Sequence, residues 1–186
     1  MESTEKEAAP PTSLFRTNLA LRLAMVSTAA VSLAVVLSSN QKKLISSPLL
    51  SSPAAFEAKF TYSSAIIYTL AATAAAFLHG VLTAAVVFLR RKVAPSSRLL
   101  LQLAFADALA AAMMGSATGA LSAIGYLALK GNSHVGWSCV CNLFDRFCWH
   151  VGISIVLSLA ATWILLGLVL CSTCSLHRAA VNPRPH

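Results

Sequence analysis

Three side chains of this sequence could do chemistry inside otherwise apolar segments: Arg22, His79 and Asp107. An isolated charge in hydrocarbon costs a few kcal/mol or more, so each charge calls for a partner. A guanidinium can grip a carboxylate with two parallel hydrogen bonds. An Arg22–Asp107 pair is therefore one reading, and it would serve to specify packing rather than to add net stability. The other is that Arg22 extends alone to the lipid headgroups. His79 falls near the depth of Asp107 and is read as neutral and hydrogen-bonded; a proton relay through His79 and Asp107 is the sharper alternative. Ser, His and Asp are all present, yet no spacing sets them as nucleophile, base and acid. No phosphate-cradling Gly loop occurs. The chain is therefore not read as an enzyme, and no cofactor is expected.

The five cysteines fall in two groups. Cys139, Cys141 and Cys148 share one loop, and a disulfide there suits an oxidising compartment. Cys141–Cys148 is the preferred pair, with Cys139 as the spare partner. In one continuous helix seven residues span about 10.5 Å, whereas a disulfide needs Cα atoms within about 7 Å. The chain must then turn between them. No metal site is expected, because no second close His/Cys pair completes one. Cys171 and Cys174 fall at the other end of the last apolar run, where palmitoylation is the candidate chemistry. Trp137, Phe144, Phe147 and Trp149 surround the first group. They suit the aromatic belt of a membrane interface, or alternatively a docking patch for an outside partner.

The elements that hold these residues follow from composition. Of 186 residues, 57% are hydrophobic and 11% charged, against roughly 25% charged in a soluble domain. So short a soluble chain could not hide that much apolar surface. A spanning helix needs about 20 apolar residues, and four runs qualify: 19–37, 65–89, 99–129 and 151–171. Barrel strands would alternate polar and apolar instead. The expected fold is an all-α membrane protein, a four-transmembrane-helix bundle in residues 19–174. The connections are an outer loop at 38–64, a cytosolic loop at 90–98 and an outer loop at 130–150. The third run is longer than a bilayer needs, so it tilts or its end near Ile124 to Leu129 emerges. A cleaved signal peptide is the rival reading of the first run. The length of the preceding segment and its Glu2, Glu5 and Glu7 oppose it.

The net charge of +8 resides at the ends of the apolar runs, where topology signals sit. It is not interleaved with aromatics on a polar surface, so no nucleic-acid partner is expected. Lys6, Arg16, Arg22, Arg90, Arg91, Lys92, Arg98, Arg178 and Arg184 share one face; Lys42, Lys43, Lys59, Lys130 and Arg146 share the other. That excess places the 90–98 loop and both termini in the cytosol. The tails 1–18 and 175–186 lack apolar residues to fold alone and are expected to be disordered. On the third run Ala111, Gly115, Gly119 and Ala123 follow Asp107 at steps of four. Such small residues let helix backbones approach closely, within the bundle or between protomers.

Several separated motifs carry a family resemblance. They are Ile124-Gly-Tyr-Leu127, Gly131-Asn-Ser-His-Val-Gly-Trp137, Val140-Cys-Asn-Leu-Phe-Asp-Arg-Phe-Cys148 and Ala58-Lys-Phe-Thr-Tyr-Ser-Ser-Ala65, with Arg22 and Asp107. From Leu19 to Cys174 the chain resembles the Casparian strip membrane domain protein-like (CASP-like) family of land plants. The resemblance implies a multi-pass plasma-membrane protein related to the MARVEL-type tetraspan proteins. It further implies a membrane scaffold. Founding members assemble into stable domains that exclude other membrane proteins and recruit enzymes that lignify the wall. The first outer loop, Ser38 to Thr61, lacks the long motif of those founding members, so the likeness is to the family-like branch.

Two functions are weighed. The first is a non-enzymatic scaffold that forms homo-oligomers or hetero-oligomers with related members, contacts membrane lipids and recruits cell-wall enzymes. The second is a small-solute or ion transporter or channel using Arg22, His79 and Asp107. A transport path needs polar lining, and these residues with scattered Ser and Thr supply little of it.

Overall fold

A computed structural model describes residues 12–45, 54–90 and 97–181. Helix α1 spans Thr12–Leu37, followed by strands β1 (Gln41–Ile45) and β2 (Ala54–Ala58). A 3-10 turn at Phe60–Tyr62 leads into α2, Ser64–Leu89. Helix α3 is Ser97–Lys130, a second 3-10 turn lies at Ser133–Val135, and α4 runs Asp145–Val181. All four helices are long and apolar enough to cross a membrane. Lipid offers the backbone no hydrogen bonds, so a spanning segment must satisfy its own, as a helix does.

Each helix packs beside its sequence neighbours, and α4 closes the ring against α1. Helices α1 and α3 thus stand at opposite corners, and the start of α1 and the end of α4 lie at the same end of the bundle. The core is built of small and flexible side chains: Met25, Ala29, Ala72, Ala76, Ala110, Ala111, Met114, Ala117, Ala161, Leu165 and Leu168. Outside, Leu78, Leu82, Phe105, Leu109 and Trp163 are exposed. That inversion of a soluble bundle fits a hydrocarbon solvent.

The boundaries of α2 and α3 lie within two residues of the expected runs, and the outer two helices differ more. Helix α1 starts at Thr12 rather than 19, so residues 12–18 are helical and not part of a disordered tail. Asn18 there accepts a hydrogen bond from Arg22 one turn on, which ties this last turn to the buried pair. Helix α4 starts at Asp145 rather than 151 and ends at Val181 rather than 171. No Gly or Pro interrupts Cys171 to Val181, and Asn182-Pro183 follows, where a helix must stop. The tail expectation is thus corrected over 175–181. Residues 1–11, 91–96 and 182–186, with Arg91 and Lys92, lie outside the described residues.

The end of α3 runs past the ends of its neighbours α1 and α2. Leu121 packs with Val36 in the last turn of α1 and Ile66 in the first turn of α2. Beyond it, α3 rises past α1 and α2 together with the first turns of α4. The 130–144 loop closes this hairpin. Val140 and Cys141 donate backbone hydrogen bonds to the Ala128 carbonyl at 2.9 and 3.1 Å, satisfying an orphan acceptor at the helix end. Gly131 has φ +68°, and a Cβ there would meet the Trp137 carbonyl at 2.7 Å, so only glycine fits.

The first loop holds an antiparallel hairpin that the Ser-, Leu- and Pro-rich sequence did not announce. Its register runs from Gln41 opposite Ala58 to Ile45 opposite Ala54. Gln41 also fixes α4: its Oε1 accepts from the Phe147 N–H at 2.9 Å and its Nε2 donates to Asp145 at 3.4 Å. One side chain thereby caps a helix distant in sequence and locks the two loops together.

At Gly80, α2 takes in side chains of α1 that leave no room for a Cβ. A Cβ there would lie 2.9 Å from Val26 and 3.0 Å from Met25. Gly80→Leu should force the helices apart and cost about 1–3 kcal/mol, as overpacking does. Thermal unfolding in detergent micelles checks it, and unchanged stability would place the contact elsewhere.

Candidate functional site

The polar centre of the bundle is built from three helices. Arg22 of α1 reaches diagonally to Asp107 of α3, with Nη1 to Oδ1 at 3.2 Å and Nη2 to Oδ2 at 2.9 Å. Both side chains are 0% exposed. Arg22 Nε donates to Asn18 Oδ1 at 2.9 Å. His79 of α2 brings Nε2 to 2.7 Å from Asp107 Oδ1 and is 19% exposed. An ionised carboxylate only accepts, so Nε2 carries the proton of that bond. The guanidinium and carboxylate charges cancel within the pair.

This arrangement takes the paired alternative for Arg22 and not the snorkelling one. It also joins His79 to Asp107 directly. Asn18 escaped the sequence reading, although its i, i+4 spacing from Arg22 puts both on one helix face. Chemically, the site exchanges hydrogen bonds among its own members. Among the described residues, no three of His, Cys, Asp and Glu gather as metal ligands.

Further polar contacts tie the helices. Ser32 of α1 meets Ser154 and Ser158 of α4 at 3.2 and 3.5 Å. Thr69 of α2 donates to the Ala117 carbonyl of α3 at 3.1 Å. Tyr68 meets Ser116 at 2.8 Å on the outer surface of the same helix pair. Such hydroxyl contacts act as glue between membrane helices.

The small-residue row does not stay in the bundle. Ala111 is buried, and Gly115 is half-buried with Thr162 at 3.8 Å from its Cβ position. Gly119 and Ala123 are exposed, and nothing lies within 4 Å of a Cβ built at Gly119. Helix geometry explains this: each step of four residues overshoots a full turn by about 40°. Starting from Asp107 at the axis, the row rotates out to the lipid surface. An in-bundle seam at Gly119 and Ala123 is thus corrected. The tight glycines are Gly80 and Gly125, the latter 3.0 Å from Ile155.

Cys141 and Cys148 form a disulfide with Cα atoms 5.6 Å apart. The required break exists because α4 begins at Asp145, after a turn at 141–143. Cys139 is free and half-buried. Cys171 and Cys174 are free near the end of α4, the latter exposed. On the hairpin, Glu57 lies between Lys59 at 2.9 Å and Lys42 at 3.1 Å. Hydrogen bonds from Lys59 and then Lys42 hold its carboxyl below the usual carboxylate range. Glu57 in turn raises Lys59.

A ring of four apolar helices with a neutralised charge pair at its centre defines a multi-pass membrane protein of the tetraspan type. Residues 11–165 match the Casparian strip membrane protein domain family. A CASP-like protein 1D1 of Musa acuminata is 40% identical, covering 96% of this chain and 98% of the relative. One from Populus trichocarpa is 38% identical over 95% and 93%. CASP-like protein Ni6 of Beta vulgaris subsp. maritima is 37% identical over 91% and 88%. The chain belongs to the Casparian strip membrane protein family, on its CASP-like side. No solved structure matches it.

Asp107→Ala should leave a buried cation unpaired and cost roughly 3–5 kcal/mol. His79→Ala removes one hydrogen bond and should cost only about 1–3 kcal/mol. Unfolding in detergent and surface delivery in cells check both, and equal effects would deny Arg22 its special dependence on Asp107. For Glu57 the shift is downward, so its contribution is present above the ordinary 4.5 and lost as pH falls through the lowered value. Lys59 is shifted upward, so its contribution is complete below 10.5. Hairpin amide protection, corrected for intrinsic exchange, should therefore be flat from 4.5 to 10.5 and fall on acidification below it.

Proposed function

We propose that this protein is a non-enzymatic plasma-membrane scaffold that assembles with copies of itself or with related members and organises a membrane domain. Both termini lie in the cytosol in this reading, and the hairpin and disulfide loop face outward. There they are the surface for cell-wall-modifying partners. Cys171 and Cys174 are then cytosolic and available for palmitoylation, adding to lipid contact. The family membership supports the class of function.

One observation carries the reading: the outward face of α3. Ala108, Ala112, Gly119 and Ala123 are all exposed there, a strip of small residues beside the Tyr68–Ser116 contact that a second helix could approach closely. The transporter alternative through Arg22, His79 and Asp107 has less support. Arg22 and Asp107 are wholly buried against each other, and the surrounding core is filled with Met, Ala and Leu. A conducting path needs polar groups that water or solute can reach.

Gly119→Leu is the discriminating variant, because the single chain has room for the new side chain. The wild type should behave as an oligomer in mild detergent and as slow-moving patches in the plasma membrane. Gly119→Leu should keep its thermal stability but shift to smaller mass and faster diffusion. A wild-type chain that diffuses as a monomer contradicts the scaffold, and ion flux in liposomes abolished by Asp107→Asn would favour the alternative.

A further inference from the structure

Hydrogen-bonding capacity is left over at the polar centre. A guanidinium carries five N–H donors. Arg22 spends three of them, on Asn18 and on the two oxygens of Asp107. The other two take no acceptor among the described residues, although the side chain is 0% exposed. Asp107 Oδ1 accepts from Arg22 and His79, whereas Oδ2 accepts from Arg22 alone. Oδ2 therefore keeps a free lone pair.

Helix α4 holds a matching group. Its inner face is Ser154, Ser158, Ala161, Leu165, Leu168 and Ser172, buried at alternating steps of four and three. Ser172 is 2% exposed, and its Oγ has no hydrogen-bond partner. Buried hydroxyls are rarely left so, because desolvation without a bond is costly. A hydroxyl on a helix has an easy outlet in the carbonyl one turn back. Thr173 and Ser175 use it, at 2.9 and 2.8 Å. Ser172 does not.

The register of the helices brings Ser172 to the depth of the charge pair. Helices α3 and α4 run antiparallel, and Gly115 faces Thr162 across them. Toward the end where α1 begins, Asp107 lies eight residues beyond Gly115 and Ser172 ten beyond Thr162. Both helices advance about 1.5 Å per residue. Side chains lean toward the start of their own helix, so Asp107 leans toward that end and Ser172 leans back from it. The carboxylate and the hydroxyl thus fall within a turn of one level. Both are on inner faces. Among the described residues, α4 gives the cluster no direct hydrogen bond.

We propose that a buried water molecule joins Ser172 to the Arg22–Asp107 pair. Water suits the three groups because it both accepts and donates. It accepts from a spare Arg22 N–H and from the Ser172 hydroxyl, and it donates to Asp107 Oδ2. Three hydrogen bonds is the usual number for a buried water. The fourth helix is thereby tied to the centre that already joins the other three.

Ser172→Ala decides by sign, read as thermal unfolding of the full chain in detergent micelles. Ala is the better helix former, and removing a hydroxyl that bonds nothing would raise the midpoint or leave it. The bridge predicts the reverse, a fall of about 2–4 °C. In the chain carrying Arg22→Leu and Asp107→Leu together the water has no charged partners, so Ser172→Ala should no longer lower the midpoint. With arginine labelled by nitrogen-15, the Arg22 guanidinium protons should show a contact to a long-lived water, and Ser172→Ala should abolish it. A midpoint that is unchanged or raised overturns the proposal. So does a loss of the same size in the charge-free chain, or an Arg22 with no water contact. Should the charge-free chain not fold, the single variant and the water contact decide.

Discussion

Hydrocarbon gives a charged group two choices, a partner or the surface, and Arg22 and Asp107 take each other. The choice has consequences because α1 and α3 are opposite corners of the ring. Bidentate bonds at 2.9 and 3.2 Å across the diagonal fix the depth of α1 against α3. Asn18 and His79 complete the shell from α1 and α2. Three helices are thus held in register by one hydrogen-bonded cluster. A buried pair of this kind is weak grounds for extra stability but a strong device for excluding other registers. Apolar packing of Ala and Met alone would tolerate a slip of one turn far more readily.

With register fixed, the remaining contacts fall where close approach is possible. Gly80 brings α2 onto α1, and Gly125 brings α4 onto α3. Ser32 with Ser154 and Ser158, and Thr69 with Ala117, stitch the flanks. At the far end of the bundle the organising contacts are different. There a disulfide, a Gln41 cap and a two-stranded hairpin replace the charge cluster as the organising contacts. The extension of α3 past Leu121 carries this assembly beyond the helix ends of α1 and α2.

The fold was largely legible because hydropathy reports solvent directly. Uncharged or singly charged runs could only be spans, and Arg22 and Asp107 stood out as the charges within them. The small-residue row was visible as a motif, yet its direction was not. Steps of four on a 3.6-residue helix rotate, so Ala111 and Ala123 lie on different faces. Helix ends were misjudged at Thr12, Asp145 and Val181 because hydropathy fades before helicity does. The hairpin and the Gln41 cap could not be read at all: each depends on residues brought together by the bundle, and Gln41 alone carries no signal of its distant partner. The family motifs in the 124–148 segment mapped onto the disulfide loop and the end of α3, a part of the chain whose geometry sequence periodicity does not describe.

The claim that the Arg22–Asp107 pair acts as one unit is tested most directly by a double-mutant cycle. Unfolding free energies would be compared for Arg22→Leu, Asp107→Leu and the combined variant, with mass measured in parallel. The account predicts that each single change is severe, and that removing both charges together restores much of the lost stability, since no unpaired charge then remains. Additive losses in the double variant would contradict it and show that the two residues act independently.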